Sequence, residues 1–590
     1  MGQTVGYTQY ELDAERSREL ANFEKQQPIL KSFQKRTQIP HIHLRLCSSG
    51  YVELCGPDLD GNIEGFLKCT WLAQEAALVP RRVMPTGTCC WKSNGEANLP
   101  RETMDYTCDK HFVLGKQLPC GQVQGNGIFQ AIRGQNESNI PKRALELINF
   151  MNECSCEVLS CSIENLHTGA QESQLTFRSP HQKNIVGPCI MVVMKQMGYI
   201  ELIGSNTEGI LDDLAGYLQN DLNCKGLAAD VAFCDRRFKA SFSCSSISSA
   251  NSGDNNMGQR AAVIINFMAQ TCRWSLVAHT ESDLIGRCGT RRQRNLLFRQ
   301  DSLGFHDHII VELRNVGRIY LNGDPEAILQ AGEHFASQGC QPCNLENLCG
   351  AQYIAPAGYF LVDEGTSNLS KCSVEIADWL SGKGWTLRSC GGVHYQNEVG
   401  AARHEQHLVF GRPERNHCAP WSTMAVEFRV IPNPVETDYT CIIEISGENT
   451  YGIYGKLLMH MTQMMQCEEV GPQAHCDLLL HCNALRVSGQ ESNFGRFSTM
   501  LCDFMADHLH EWTLVSSVGQ SISNNWGDTT GSTPVLSFVA RQQLFIFLSA
   551  SPAPLQQSMG ATPRGHTLEG SRTPCLSTPQ GSRQNLSGSK

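Results

Sequence analysis

The stretch AVIINFMAQTCRWSLVAH (262–279), followed by LLFRQ (296–300), decides the fold, because it occurs four times in altered form. The other copies are ALELINFMNECSCEVLSC with LTFRS (144–179), CSVEIADWLSGKGWTLRSC with LVFGRP (372–413), and FSTMLCDFMADHLHEWTLVSS with LSFVAR (497–541). Each begins with apolar residues at helical spacing, passes a short turn, and changes to an extended pattern. The aromatics Phe150, Phe267, Trp379 and Phe504 lie 117, 112 and 125 residues apart. A period near 120 residues is long enough for a unit with its own core, whereas solenoid repeats of about 20–50 residues must stack to bury one.

A second marker supports the same division: GYVELCG (50–56), GYIELIG (198–204), GRIYLNG (317–323) and CIIEISG (441–447). Its spacing places extra residues in the first copy, within about 85–135, where loop-closure entropy tolerates an insertion. Between the markers, EGILDDLAGYLQNDL carries Ile210, Leu211, Leu214 and Leu218 on one helical side, and DVAFCDRRFKASF alternates as a strand. The predicted unit is therefore β-β-α-β-α-β-β, an α+β domain with a largely antiparallel sheet. Predicted boundaries are an N-terminal helical segment 1–39, repeat units 40–180, 181–300, 301–417 and 418–548, and a disordered Ser/Pro/Gly/Thr-rich tail 549–590.

Composition narrows function more than it assigns one. With 41% hydrophobic and 18% charged residues, the sequence reads as globular, and it has no apolar run near the length of a membrane span. A net charge of −10 argues against nucleic acid as a partner, which would require a positive face. Arg287, Arg291, Arg292 and Arg294 form a local basic cluster, expected on a solvated loop.

The 28 cysteines are unusual, but the N-terminus lacks a secretory pattern, so they are expected to be reduced and buried like small hydrophobes. The sharper alternative is zinc at Cys340, Cys343 and Cys349, whose spacing lets two thiolates reach one tetrahedral ion. Cys372, Cys390, His394, His404 or His407 would complete that set. A second close cysteine pair, as in a zinc ribbon, is missing, so a plain thiol cluster without cofactor is the competing expectation. No GxxxxGK[ST], GxSxG or HExxH pattern is present, and no catalytic residues are assigned.

Two recurring charges have structural explanations. Glu53, Glu201 and Glu444 alternate with apolar residues, as does Tyr320 in the third copy, which predicts a solvated sheet face. Arg178, Arg299, Arg412 and Arg541 end the last strand, where each is expected to pair with such a glutamate across the sheet. Trp274, Trp385 and Trp512 begin a strand and are expected to fill their unit's core.

The chain begins Met-Gly-Gln-Thr-Val-Gly, which makes Gly2 a candidate myristoyl acceptor, although Gly6 stands where Ser or Thr is usual. One acyl chain binds membranes marginally, at about 10⁴ M⁻¹. A soluble helix packed on the first unit is the plain alternative.

The segment DWLSGKGWTLRSC with HLVFGRP (378–413) resembles the C-terminal repeat unit of the raftlin family over about forty residues, and the other copies share its outline. Raftlins carry a cysteine beside the acceptor glycine, where this chain has Gln3. The resemblance implies a non-enzymatic scaffold or adaptor at the cytoplasmic face of the plasma membrane, acylated at Gly2 and partnered by proteins and membrane lipid. Self-association is a further expectation, because tandem units multiply weak contacts. The alternative is an enzyme or a metal- or ligand-binding protein with its site in the third unit.

Overall fold

The structure is a computed structural model that describes residues 40–549, apart from 77–107, 115–138, 241–256, 525–537 and shorter loop segments. The predicted N-terminal helical segment, Gly2, nearly all of the tail and most of the predicted insertion lie outside the described residues.

Four units of mixed helix and antiparallel sheet follow one another. The first comprises β1 (His41–Cys47), β2 (Tyr51–Cys55), α1 (Asn62–Thr70), β3 (Gln74–Ala76), β4 (Lys110–Val113), α2 (Ile140–Glu153), β5 (Glu157–Asn165) and β6 (Gln171–Arg178). The second comprises β7 (Cys189–Lys195), β8 (Tyr199–Ile203), α3 (Ile210–Asn220), β9 (Lys225–Leu227), β10 (Arg236–Lys239), α4 (Met257–Gln270), β11 (Trp274–Gly286) and β12 (Gly289–Gln300). The third comprises β13 (Phe305–Arg314), β14 (Arg318–Gly323), α5 (Pro325–Ser337), β15 (Gln341–Cys343), β16 (Ala351–Ile354), the short hairpin β17 (Val362–Asp363) and β18 (Thr366–Ser367), α6 (Leu369–Gly382), β19 (Thr386–Gln396) and β20 (Ala402–Pro413). The fourth comprises β21 (Thr423–Pro432), β22 (Tyr439–Gly447), α7 (Ile453–Met465), β23 (Cys467–Gln473), β24 (Cys476–Cys482), the short hairpin β25 (Val487–Ser488) and β26 (Glu491–Ser492), α8 (Phe494–Leu509), β27 (Trp512–Asn524) and β28 (Phe538–Ser549).

Each unit thus carries two sheet strands between its helices where the sequence pattern predicts one. The added strands β3, β9 and β15 are three residues long, too short to show a period. All four six-stranded sheets share one order, third-fourth-second-first-sixth-fifth, with every pairing antiparallel.

The recurring glycine marker has a steric cause. Gly56, Gly204, Gly323 and Gly447 take φ of 99°, 134°, 135° and 132°. A Cβ at Gly56, Gly323 or Gly447 would stand 2.5, 2.2 or 2.4 Å from the carbonyl oxygen of His41, His308 or Thr423 on the unit's first strand. Only glycine ends the hairpin's second strand this close to the first.

Helices cover one face of each sheet. On α3, Ile210, Leu211, Leu214 and Leu218 are all buried, as their spacing predicts, and so are Trp274, Trp385 and Trp512. The marker aromatics bridge the two helices of their unit. Phe150 stacks on Phe66, Phe267 on Tyr217 and Phe504 on His460 at centroid distances of 4.3, 3.9 and 4.1 Å, and Trp379 leans on His334 at 5.3 Å.

The opposite face of each sheet is covered by the preceding unit. Helix α2 packs on β7, α4 on β13, α6 on β21, and α8 returns to β1, so the four units close into a ring. At three of the four seams the residue before the marker aromatic bonds the backbone of the neighbouring unit's first strand. Asn149 accepts the backbone N–H of Cys189 at 2.7 Å and donates to its carbonyl at 3.2 Å. Asp378 accepts the N–H of Thr423 at 2.7 Å. Asp503 accepts the N–H of His41 at 2.8 Å and faces its Nδ1 at 2.9 Å. At the remaining seam Asn266 occupies the matching place, and Gln270 reaches Asp307 at 3.3 Å. At the centre of the ring, β5, β11, β19 and β27 lie against one another in succession. Each bulges at one residue, Leu159, Val277, Arg388 or Val515. Leu159 enters the fourth unit's core, while Val277 packs on the first unit's core and Val515 on the third's.

Candidate functional site at the seam of the second and third units

Closure of the ring removes the expected solvated face. Glu53, Glu201 and Glu444 are buried, and each meets a cation on its own sheet. Glu53 pairs with Arg45 at 3.0 Å, Glu201 with Lys195 at 2.9 Å and Arg237 at 3.3 Å, and Glu444 with Arg429 at 3.2 Å. Tyr320, the third copy's equivalent, lies under the Arg314 guanidinium at 4.2 Å. Three of the strand-end arginines take other partners than those predicted, and the Arg541 side chain lies outside the described residues. Arg178 pairs with Glu157 at 2.5 Å, Arg412 with Glu326 at 2.8 Å, and Arg299 crosses the first seam to Glu157 at 3.1 Å. An alternating strand reveals that a face is polar; it does not reveal that a neighbouring copy will cover it.

The densest cluster sits where β11 and β12 meet β13 and β20. Arg294 binds Glu281 at 2.5 Å and Glu312 at 2.9 Å, and its Nη2 lies 3.2 Å from His407 Nδ1. Arg292 makes a two-pronged contact with Glu405 at 2.8 and 3.0 Å, and Arg314 joins Glu312 at 3.0 Å and Glu405 at 3.4 Å. His407 Nδ1 is 3.0 Å from Glu281, and its Nε2 is 3.5 Å from Glu405. Arg292 and Arg294 are therefore interior residues, not members of a solvated basic loop.

Electrostatics in this cluster follows its pairings. Burial pushes the Glu281 and Glu405 carboxyls up, but Arg294 and His407 around the first, and Arg292 and Arg314 around the second, hold both below the usual carboxylate range. Burial lowers His407, yet Glu281 and Glu312 outweigh it and favour the imidazolium. His279 lies on the strand beside them, its ring 5.9 Å from that of His407. Burial, then Arg294 and His407, hold it well below the ordinary histidine value, so it is neutral. Neither nitrogen of the His279 ring has a hydrogen-bond partner.

Sequence reasoning placed the candidate metal ligands elsewhere. Cys340 is buried next to β15 and Cys343 is half-buried at its end, while Cys349 lies outside the described residues. Burial pushes the Cys340 thiol up to about 11. Cys372 lies in the same core as Cys340, burial raising its thiol to about 12, and Cys390 is buried on β19. Among the described residues, the grouping of three or more ligand-type side chains is His279, Glu281 and His407, whose ligand atoms lie within 4.8 Å of one another. His407 is far in sequence from the other two and the set carries no spacing motif; the signal available was the alternation His279, Glu281 along one strand face.

Comparison with family models, with curated proteins and with solved structures finds no match to this chain.

Proposed function

We propose that this chain is a non-enzymatic scaffold or adaptor, N-myristoylated at Gly2 and peripheral at the cytoplasmic face of the plasma membrane, as its resemblance to raftlins implies. The observation that supports a scaffold is what the four copies hold in common. The seam residue Asn149, Asp378 or Asp503, the stacked helix aromatics and the close-packed hairpin glycine all serve contact within or between units. The repeats preserve assembly, and four related units packed on one another would present related outer surfaces to protein partners. This differs from avidity on flexible linkers, since the preorganised geometry removes the ordering cost of each further contact. No described helix is long and apolar enough to cross a membrane, and an acyl chain would serve as the anchor in this reading.

The test is metabolic labelling with an alkyne myristate analogue, combined with membrane fractionation of wild type and Gly2→Ala. Label and membrane recovery that both depend on Gly2 support the proposal. An unlabelled, wholly soluble wild-type protein removes the anchor. For the alternative of a thiol site in the third unit, a Cys340→Ser/Cys343→Ser double variant should lose function while its location is unchanged.

A further inference from the structure

We propose that His279, Glu281 and His407 form a binding site for a divalent transition cation of the zinc class, which joins the second unit to the third. His279 and Glu281 come from β11 and His407 from β20, so the ligands belong to two units.

Three observations converge on this site. The ligand atoms lie within 4.8 Å of one another. Ligands of a tetrahedral ion with bonds of about 2.0–2.1 Å stand roughly 3.3 Å apart, so a small inward adjustment completes the set. The 3.0 Å separation between His407 Nδ1 and Glu281 already matches that spacing. Both His279 ring nitrogens are buried without a partner, and a buried polar group left so costs about 1–3 kcal/mol. Glu281 Oε1 likewise makes no hydrogen bond, with Arg292 at 3.6 Å. Coordination would satisfy one His279 nitrogen together with the free Glu281 oxygen.

The surroundings supply orientation. His407 Nε2 faces Glu405 at 3.5 Å without a formed hydrogen bond, and a slight approach would give it the carboxylate backing that orients a ligating imidazole. Two imidazoles and one carboxylate suit zinc, cobalt or nickel better than calcium or magnesium, which favour oxygen donors. Arg294 competes for Glu281 and His407, and on binding its guanidinium would be held by Glu312, already 2.9 Å away. Glu281, Glu312 and Glu405 are already matched by Arg292, Arg294 and Arg314, so the ion enters by displacing the His407 proton and the Arg294 contact to Glu281. The ion's role is structural, a staple across a seam whose Asn266 side-chain oxygen has no hydrogen-bond partner.

The experiment uses the full chain. Elemental analysis after purification without chelator or added metal is followed by titration of chelator-treated protein with Co²⁺, read by visible absorption, and with Zn²⁺, read by the melting temperature. The expected result is one ion per chain at saturation, visible cobalt d–d bands, and a rise in melting temperature with Zn²⁺. His279→Asn and Glu281→Gln should remove the bands and the rise, with far-UV circular dichroism unchanged. His481→Asn, at an exposed position on β24 outside the set, should retain both and so controls for loss of a surface imidazole. If wild type shows neither cobalt bands nor a zinc-dependent rise, the site does not bind such an ion. Bands that persist in His279→Asn and are lost in Cys340→Ser/Cys343→Ser overturn the assignment in favour of the thiols.

Discussion

Three seams of the ring join units that are consecutive in the chain, and the fourth, between α8 and β1, joins its two ends. Replacing Asp503 by alanine tests that closure. Its carboxylate accepts the N–H of His41 at 2.8 Å and faces His41 Nδ1 at 2.9 Å, and the His41 side chain is buried. A hydrogen bond to a charged acceptor contributes about 1.5–3 kcal/mol, and an abandoned buried N–H costs about as much by itself. These are two views of one loss, so Asp503→Ala should destabilise the seam by about 2–3 kcal/mol. Asp503→Asn keeps an acceptor oxygen, as Asn149 shows at the first seam, and should cost under about 1 kcal/mol. Global unfolding of a four-unit chain need not be two-state, so the suitable assay is native-state hydrogen exchange on peptides covering 41–47 and 494–509. Protection there should fall by roughly 30- to 150-fold in the alanine variant, with the β13 region of the third unit little changed. Equal exchange in Asp503→Ala and wild type, or equal losses in the alanine and asparagine variants, would refute the reasoning.

Other predictions follow from individual positions. Gly323→Ala drives a Cβ toward the His308 carbonyl and should cost about 3 kcal/mol or more in chemical unfolding, whereas Gly358→Ala, also at positive φ but in open space, should cost about 1 kcal/mol. Leu159→Ala removes a side chain that reaches from the first unit into the fourth unit's core, and should lower stability by about 2–4 kcal/mol with increased exchange in α8. Burial, with Arg45 for His43 and Arg388 for His308, lowers these histidines from 6.5 to about 4 and about 3. Both are neutral when folded, so their contribution is intact above pH 6.5 and is lost as the pH falls toward the folded values. At pH 5 each has lost about 2 kcal/mol, and His43→Gln should therefore lose about 2 kcal/mol less than wild type between pH 8 and pH 5. Asp378 has the opposite sign. Burial raises it to about 7, so its neutral form favours the fold as the pH falls from above 7, and Asp378→Asn should remove that gain.

Particular residues explain how much was legible beforehand. The four units and their mixed helix and antiparallel sheet character followed from the Phe150, Phe267, Trp379 and Phe504 repeats, because helical spacing and a following strand survive divergence between copies. The strand pairs between the helices did not, since Lys225–Leu227 has too few residues for alternation to register. The seams were present as Asn149-Phe150, Asn266-Phe267, Asp378-Trp379 and Asp503-Phe504, but an amide or carboxylate beside an aromatic has no local signature of docking on another unit. Alternation puts Glu53, Glu201 and Glu444 opposite the apolar face, but it carries no sign that another unit buries them there. His279 and Glu281 share a strand face by their i, i+2 spacing, but they meet His407 only through the packing of the second unit on the third, which no linear spacing encodes.

The return of α8 to β1 also has a consequence for synthesis. A ribosome releases the first unit's strands long before the helix that covers them exists, so His41, His43, Arg45 and Glu53 spend most of translation with their permanent cover still unmade. Products truncated before residue 494 would keep that polar surface uncovered, a chemical mark separating incomplete chains from finished ones.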